Sequence, residues 1–188
     1  MSGTADVHPE AVITPSKLDV VKAWLPNQSW FAGDTGDVTQ VAHCRFVDPD
    51  GEVGIETLLL HSGGVTYQVP LTYRGEALDG ADEYLLGTMD HSLLGKRWVY
   101  DATGDPVYVE ELIRVIREGD NQAAMSSGEE DMSVRGSGAE PVANSSGTAR
   151  LARVLDDEHA LPTRVVGNLT GTWTEDGAER TAVLATLH

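Results

Sequence analysis

The amino-acid sequence predicts an α+β fold, an antiparallel sheet with two main helices followed by a small C-terminal β extension. Several runs alternate apolar and polar residues and are joined by short turns, which is typical of an antiparallel meander. Two other segments repeat apolar residues at helical spacing. With 188 residues, of which 40% are hydrophobic and 23% charged, the chain can bury the core of one ordinary domain plus an extension.

The first predicted helix follows a flexible tail at residues 1–13. Thr14 can serve as its N-cap and Pro15 as its first residue, where a missing N–H costs nothing. Pro26 ends the helix, because proline cannot continue one. The apolar stripe between these limits consists of Leu18, Val21 and Leu25.

Three strands are predicted next, over residues 38–47, 52–61 and 65–72. The turn between the first two reads D-P-D-G, and a glycine pair separates the second from the third. Pro70 lacks the N–H that a ladder needs, which places the third strand at a sheet edge or makes residue 70 a strand end. Short connections of this kind predict an antiparallel order.

A fourth strand is predicted over residues 96–101, after a mixed stretch with a short helical or strand-like piece near residues 84–86. The second helix, at residues 106–118, has consistent signals along its whole length. Asp105 is its N-cap, a proline opens it, and Gly119 ends it. Its apolar stripe consists of Val109, Leu112, Ile113 and Ile116.

The second helix also closes the main domain, which we expect to span residues 14–118. Residues 119–147 are rich in Ser, Gly and Glu and read as a linker or loop, with room for a short strand at residues 125–135. Residues 148–188 are predicted to form an antiparallel β extension that packs on the main domain. The acidic run at residues 156–158 is interpreted as a solvated loop.

The overall charge limits the possible partners. Thirteen Lys and Arg against thirty Asp and Glu give a net charge of −17. This balance argues against nucleic acid, whose phosphates need clustered basic residues, and against an anionic membrane surface. A single cysteine, Cys44, excludes an intrachain disulfide and fits a reducing compartment. Since no apolar run has the form of a signal peptide or a transmembrane helix, we expect a cytoplasmic protein.

The sequence shows none of the common catalytic motifs. Its three lysines, Lys17, Lys22 and Lys96, do not follow a glycine-rich phosphate loop, and no G-x-S-x-G elbow is present. His43 and His61 flank the first hairpin turn, where a shared metal site competes with the simpler interpretation of two half-buried strand histidines. We therefore predict no catalytic residue, no metal and no cofactor.

Two segments resemble a known family. Residues 24–33 read W-L-P-N-Q-S-W-F-A-G, which is similar to the W-L-P-x-x-R-W-F-A-G opening of actinobacterial maltokinases. The Y-Q-V-P-L run at residues 67–71 and the Y-D-A-x-x-D-P segment at residues 100–106 also resemble that family, in the same order and spacing. The resemblance extends over residues 16–118 and implies the family's N-terminal cap domain, an α+β unit with a curved, cystatin-like antiparallel sheet.

The same resemblance implies a role without catalysis. A maltokinase needs a phosphate-binding lysine, a catalytic aspartate and a metal-binding aspartate. The chain shows none of these motifs, so it resembles a stand-alone cap, linked to trehalose or α-glucan metabolism. Residues 155–167 are faintly similar to the family's E-Q-S-N-T-S loop.

Three functional hypotheses follow. The first is a binding or regulatory module for a protein partner or a sugar-like ligand, with ligand-binding candidates in a segment richer than a cap requires: His91, Arg97, Trp98, Tyr100 and Asp101. The second is a small enzyme with a pocket between helix and sheet, which needs His91 and Asp101 to converge within hydrogen-bond reach. The third is assembly through sheet edges; the oligomeric state stays open.

Overall fold

A computed structural model describes residues 3–128, 130–138, 147–155 and 165–188. Within these ranges the chain forms two α-helices, α1 (Lys17–Trp24) and α2 (Pro106–Glu118), and thirteen strands. The strands are β1 (Thr4–Ala5), β2 (Ile13–Thr14), β3 (Thr39–Val47), β4 (Gly54–Ser62), β5 (Val65–Arg74), β6 (Leu85–His91), β7 (Gly95–Asp101), β8 (Ala124–Met125), β9 (Met132–Gly136), β10 (Ala149–Leu151), β11 (Val154–Leu155), β12 (Gly167–Glu175) and β13 (Ala178–Leu187). The acidic run at 156–158 and most of segment 155–167 lie outside the described residues.

A large antiparallel sheet forms the centre of the molecule. Its strand order is β2-β6-β7-β5-β4-β3, and β11 pairs with β5 beside β7. The hairpins β3–β4, β4–β5 and β6–β7 join strands that are consecutive in sequence, since short turns place antiparallel neighbours side by side. This arrangement confirms the predicted α+β class with a curled antiparallel sheet and two helices.

A second, smaller antiparallel sheet has the order β10-β13-β12-β9. It combines the C-terminal hairpin β12–β13 with a strand from the predicted linker, β9. The predicted flexible tail is likewise paired in the described residues: β1 runs parallel to β8, and β2 pairs with β6. The sequence does not predict β1, β2 and β8, because a strand of two residues cannot show an alternation of apolar and polar positions.

The structure differs from the sequence prediction at the start of α1. Ser16, not Thr14, is the N-cap, and its hydroxyl accepts a hydrogen bond from the Asp19 N–H at 3.1 Å. Thr14 is instead part of β2, opposite Asp90 of β6. A residue whose backbone is extended and paired in a sheet cannot also cap a helix two residues away, so the helix starts later than predicted.

The helix α2 has the limits that its sequence predicts. The Asp105 carboxylate accepts from the Val107 N–H at 3.1 Å, and Pro106 occupies the first turn. Gly119 ends the helix in the left-handed region, with φ of 63°. All of these signals are local to the helix, which explains why the sequence predicts it well.

Both alternatives predicted for Pro70, a sheet edge and a strand end, are wrong, because β5 is an interior strand that continues to Arg74. Pro70 lies opposite Thr57 of β4. On the other side of β5, Tyr67 pairs with β11, and the pairing with β7 begins at Leu71. The Gln68 N–H points to that side, where it donates to the Arg153 carbonyl, and residue 70 points the same way. The missing N–H of Pro70 therefore falls in the gap between the two partner strands.

Both faces of the large sheet are buried. Along β4, Leu58 and Leu60 face α1, whereas Ile55 and Leu59 face α2 and the small sheet. The core on the α1 side includes Val20, Val21, Leu25, Val69, Leu71, Met89 and Val99. The core on the α2 side includes Phe46, Tyr108, Leu112, Ile116, Val134, Leu169, Trp173, Leu184 and Leu187. The molecule thus stacks α1, the large sheet, and a third layer made of α2 and the small sheet.

No helix in the described part of the chain is long and apolar enough to cross a membrane.

Candidate functional site

A pocket of about 240 Å³ opens between one end of the large sheet and the small sheet. The turn between β4 and β5 and the turn between β12 and β13 lie on its rim. Its walls are half polar and half apolar. The lining side chains include His61, Thr66, Leu155, Trp173, Glu175, Asp176, Arg180 and Ala182.

Glu175 is the buried carboxylate of this pocket, with only 8% of the residue exposed. It accepts hydrogen bonds from His61 Nδ1 at 2.5 Å, from Thr66 Oγ1 at 3.0 Å and from Trp173 Nε1 at 3.1 Å. An ionised carboxylate only accepts hydrogen bonds, so Nδ1 of His61 carries a proton. The Nε2 atom is then the ring position that can exchange a proton with a bound molecule.

The positions of these four residues follow from strand geometry. His61 lies near the end of β4 and Thr66 near the start of β5, so the tight turn at Gly63 and Gly64 brings them together. Trp173 and Glu175 are two residues apart on β12 and point to the same face. The pocket therefore joins two hairpins whose side chains are more than a hundred positions apart in the sequence.

The arrangement can orient a polar ligand. Glu175 holds the imidazole of His61 in one tautomer, as orienting carboxylates do for histidines that exchange protons. Its three donors occupy most of its acceptor capacity, so Glu175 acts through His61 and not on a ligand directly. In the described ranges, no group of three or more His, Cys, Asp or Glu side chains could hold a metal ion.

His43 and His61 do not come together, although they flank the same hairpin turn. His43 pairs with Asp131 at 2.5 Å, next to β9, whereas His61 pairs with Glu175. Both are partly exposed strand residues, and each ring nitrogen is hydrogen-bonded to a carboxylate from a later part of the chain.

Of the residues predicted as a ligand site, His91 and Arg97 shape the β6–β7 turn. The N–H groups of Leu93 and Leu94 donate to His91 Nδ1 at 3.3 and 3.2 Å, and Arg97 Nη2 donates to the Leu94 carbonyl at 2.5 Å. Burial lowers the pKa of His91, and the positive charges of His8 and Arg97 lower it further. A neutral His91 is the form whose Nδ1 can accept these bonds.

The other three predicted residues lie further along β7. The Lys96 ammonium lies 4.7 Å from the centre of the Trp98 ring. Tyr100 is almost fully buried, and its hydroxyl accepts from the Leu78 N–H at 2.8 Å. His91 lies opposite Gly95, six residues from Asp101, which is about 20 Å along an extended strand. The structure does not bring His91 and Asp101 into one cavity.

Asp101 belongs to a cluster that links the two halves of the chain. Its carboxylate accepts from Arg153 Nη2 at 2.5 Å and from Thr103 Oγ1 at 2.9 Å. The Arg153 guanidinium lies 5.1 Å from the centre of the Trp30 ring. Arg153 precedes β11 and its carbonyl accepts from Gln68, so this arginine fills the gap in the sheet beside Pro70.

The W-L-P-N-Q-S-W-F-A-G segment packs as an aromatic cluster over β5. The ring of Trp30 lies 5.7 Å from that of Trp24 and 6.1 Å from that of Tyr67. Gly33 lies against Ser62, and a β-carbon at residue 33 would come within 2.5 Å of the Ser62 hydroxyl oxygen. Close packing thus explains the aromatic and glycine positions of this motif.

A buried ion cluster lies beneath the start of α1. Glu56 of β4 accepts from Lys17 Nζ and from the Tyr73 hydroxyl, each at 2.7 Å, and Arg45 lies 3.4 Å away. Burial opposes ionisation of this carboxyl, but the charges of Lys17 and Arg45 outweigh it and lower the pKa of Glu56 from 4.5 to about 2. Glu56 is therefore ionised at neutral pH.

Sequence reasoning missed the two residues that connect the N-terminal and C-terminal parts. Glu175 reads as a turn residue in E-D-G, and Arg153 reads as an ordinary strand residue. For Glu175, the alternation of Trp173 and Glu175 indicates that both face one side of a strand. No local pattern marks Arg153, because its partners Asp101 and Trp30 are distant in sequence.

Comparisons with known proteins locate the family to which this region is similar. A search of curated proteins gives no match for the chain. The family model described as the maltokinase N-terminal cap domain matches residues 24–105, from the last residue of α1 to the N-cap of α2. The match covers the aromatic segment and strands β3 to β7, and it confirms the resemblance predicted from the sequence. The chain therefore contains a domain like the N-terminal cap of the maltokinases.

Proposed function

We propose that the chain is a non-catalytic binding module of the maltokinase-cap kind, linked to trehalose or α-glucan metabolism and acting in the cytoplasm. The proposal includes the domain limits expected from the sequence: a cystatin-like cap over residues 14–118 and a β extension over 148–188 that packs on it. Shared burial supports the packing of the extension on the cap, since Leu59 of the cap and Leu184 of the extension lie in the same core cluster.

The observation that carries the proposal is the state of the buried carboxylates. Six are buried in the described residues, and each is bonded by partners within the chain: Asp48, Glu56, Asp101, Asp105, Glu111 and Glu175. Carboxylates engaged in this way stabilise the sheets and helices and are poorly placed to transfer protons to a substrate. This distribution favours binding over catalysis.

The pocket around His61 is the place where we expect a small polar ligand to bind. Its mixture of polar groups and apolar walls suits a molecule with several hydroxyl groups, such as a sugar or a sugar phosphate. The His61 imidazole is partly exposed and held in place by Glu175, so it can meet a ligand with little loss of side-chain freedom.

Calorimetric titration with maltose, trehalose, glucosamine, their phosphates and nucleotides tests the binding role. Binding by the wild-type chain is expected to be lost in His61→Ala and retained in His43→Ala. His43 is a matched control, because it is also a strand histidine bonded to a carboxylate at 2.5 Å but does not line the pocket. A wild-type chain that binds no member of the panel contradicts the small-ligand part of the proposal.

A second candidate function, a small enzyme, is favoured by one observation only, the orientation of His61 by Glu175. Incubation of the same panel with ATP and Mg²⁺, followed by phosphorus and proton NMR, separates the two functions. Unchanged ligands support a binding module. Product formation that disappears in His61→Ala contradicts it and supports the enzyme.

A further inference from the structure

The β6–β7 hairpin exposes an unusual apolar surface. In the described part of the chain only four large hydrophobic side chains are exposed, and three of them lie together: Val12 at 67%, Leu93 at 55% and Leu94 at 48%. The Val12 N–H donates to Ser92 Oγ at 3.0 Å, and the Ser92 N–H donates to the Val12 carbonyl at 2.9 Å. We call Val12, Leu93 and Leu94 the hairpin tip.

The hairpin tip is held in one conformation. Both leucine N–H groups donate to His91 Nδ1, and Arg97 donates to the Leu94 carbonyl. The His91 ring also meets His8 edge to face, with ring centres 5.9 Å apart. A fixed apolar surface loses little conformational entropy on association, which favours its use as an interface.

The distribution of charge also distinguishes this part of the molecule. Residues 8–30 and 85–99, which contain β2, α1 and the β6–β7 hairpin, carry three Asp or Glu and four Lys or Arg. They include every lysine of the chain. The net negative charge of the chain therefore lies on the remaining residues, and two copies of the chain repel each other least when these nearly balanced surfaces meet.

We propose that the hairpin tip is a self-association surface whose occupant is a second copy of this chain, related by a two-fold axis. The tip has exposed charges of both signs beside it, with Asp90 and Lys96 on facing strands of the hairpin. A two-fold axis places the same patch on both copies, so each acidic side chain can meet the partner's basic side chain around a centre of leucines. Since the apolar centre is small, the dimer is a weak one, with Kd of the order of micromolar or above.

Sedimentation velocity from about 1 µM to about 1 mM protein tests the proposal. Wild type is expected to show a concentration-dependent dimer, with Kd raised at least tenfold in Leu93→Asp and in Leu94→Asp. Val166→Asp is the matched control, because Val166 is the fourth exposed hydrophobic residue, at 37%, and lies beside β12. Unchanged circular dichroism and Tm will show that the aspartates leave the fold intact.

Cysteine trapping adds a readout that depends on geometry. The natural thiol of Cys44 is buried, and burial raises its pKa to about 12, so it does not compete. Oxidation is expected to give a covalent dimer of Leu94→Cys, since residues near a two-fold axis approach their own copies, and to leave Val166→Cys monomeric. A wild-type chain that stays monomeric at the highest concentration overturns the proposal. So does a dimer that forms equally well in both aspartate variants.

Discussion

At the scale of single residues, Glu56 connects three elements of the fold. Its carboxylate accepts from Lys17 of α1 and Tyr73 of β5, and it lies beside Arg45 of β3. Only 2% of the residue is exposed, so water cannot replace a lost partner. Breaking a buried ion pair from one side costs more than the pair itself contributes, because the remaining charges are left unpaired.

Substitution of Glu56 by Gln is expected to lower the free energy of unfolding by about 3 kcal/mol at pH 7. The folded-state pKa of about 2 lies below the ordinary glutamate pKa of 4.5. The stabilisation is therefore present above about pH 4.5 and is lost as the pH falls towards 2. Urea unfolding across this pH range measures it, and the difference between wild type and Glu56→Gln should shrink in acid.

Glu52→Gln is the control for this substitution, because Glu52 is an exposed glutamate just before β4, four residues from Glu56. Its removal should change the free energy of unfolding by no more than about 0.5 kcal/mol at any pH. A pH-independent loss of stability in Glu56→Gln would show that the effect comes from packing and not from the charge.

At the scale of elements, the two helices differ in how their first turns are held. The exposed Ser16 hydroxyl caps α1 by accepting from the Asp19 N–H, and it also donates to the Asp19 carboxylate. Asp105 caps α2 and also receives two hydrogen bonds of 2.7 Å from Arg74, with no exposure of the aspartate. Burial opposes ionisation of Asp105, yet the hydrogen bonds and the positive charge of Arg74 outweigh it and lower its pKa.

Removal of the two caps should therefore have unequal effects. Ser16→Ala is expected to cost about 1 kcal/mol, the usual value of an exposed N-cap. Asp105→Ala is expected to cost about 3 to 5 kcal/mol, because it also leaves the Arg74 guanidinium unpaired. Urea denaturation at pH 7 measures both. Equal losses would mean that the Arg74 pair adds nothing to the cap.

The same elements show what a sequence can predict. The signals of α2 lie within fifteen consecutive residues, so its limits were predictable from capping and period alone. The start of α1 was not, because Thr14 pairs with Asp90, a partner more than seventy residues away. The position of Pro70 was not predictable for the same reason. The gap between β7 and β11 that accommodates it is formed by strands that follow later in the chain.

At the scale of the whole molecule, the large sheet joins two hydrophobic cores. Leu58 and Leu59 are neighbours on β4 and both are fully buried, but they point to opposite faces. Loss of either core exposes one face of the same strand. The two cores are therefore expected to unfold together, as one cooperative unit.

Leu58→Ala and Leu59→Ala test this cooperativity. Each is expected to lower the free energy of unfolding by about 2 to 5 kcal/mol, because each leaves a cavity in a packed core. Fluorescence of the tryptophans, which are found in both cores, and far-UV circular dichroism should report a single, coincident transition. Leu94→Ala, at an exposed residue, should leave stability nearly unchanged. Separate transitions for the two variants would show that the cores fold independently.

The candidate site illustrates the limit of sequence reasoning most clearly. The predicted residues His91, Arg97, Trp98, Tyr100 and Asp101 lie within eleven residues of sequence. His91 lies opposite Gly95 at one end of β7, however, and Asp101 lies at the other end, about 20 Å away. The pocket instead unites His61 and Glu175, which are 114 positions apart.

The sequence by itself determined the features that arise from neighbouring residues: the α+β class, the hairpins that join β3, β4 and β5, the helix α2 and the aromatic segment that resembles the maltokinase cap. Alternation, capping and turn chemistry act over a few residues, so they can be read directly. Only the tertiary structure decided which side chains meet. Three sets of contacts depend on strand pairing between distant segments, which no local pattern encodes. They are the Glu175–His61 pair, the contacts of Arg153 with Asp101 and Trp30, and the clustering of Val12 with Leu93 and Leu94.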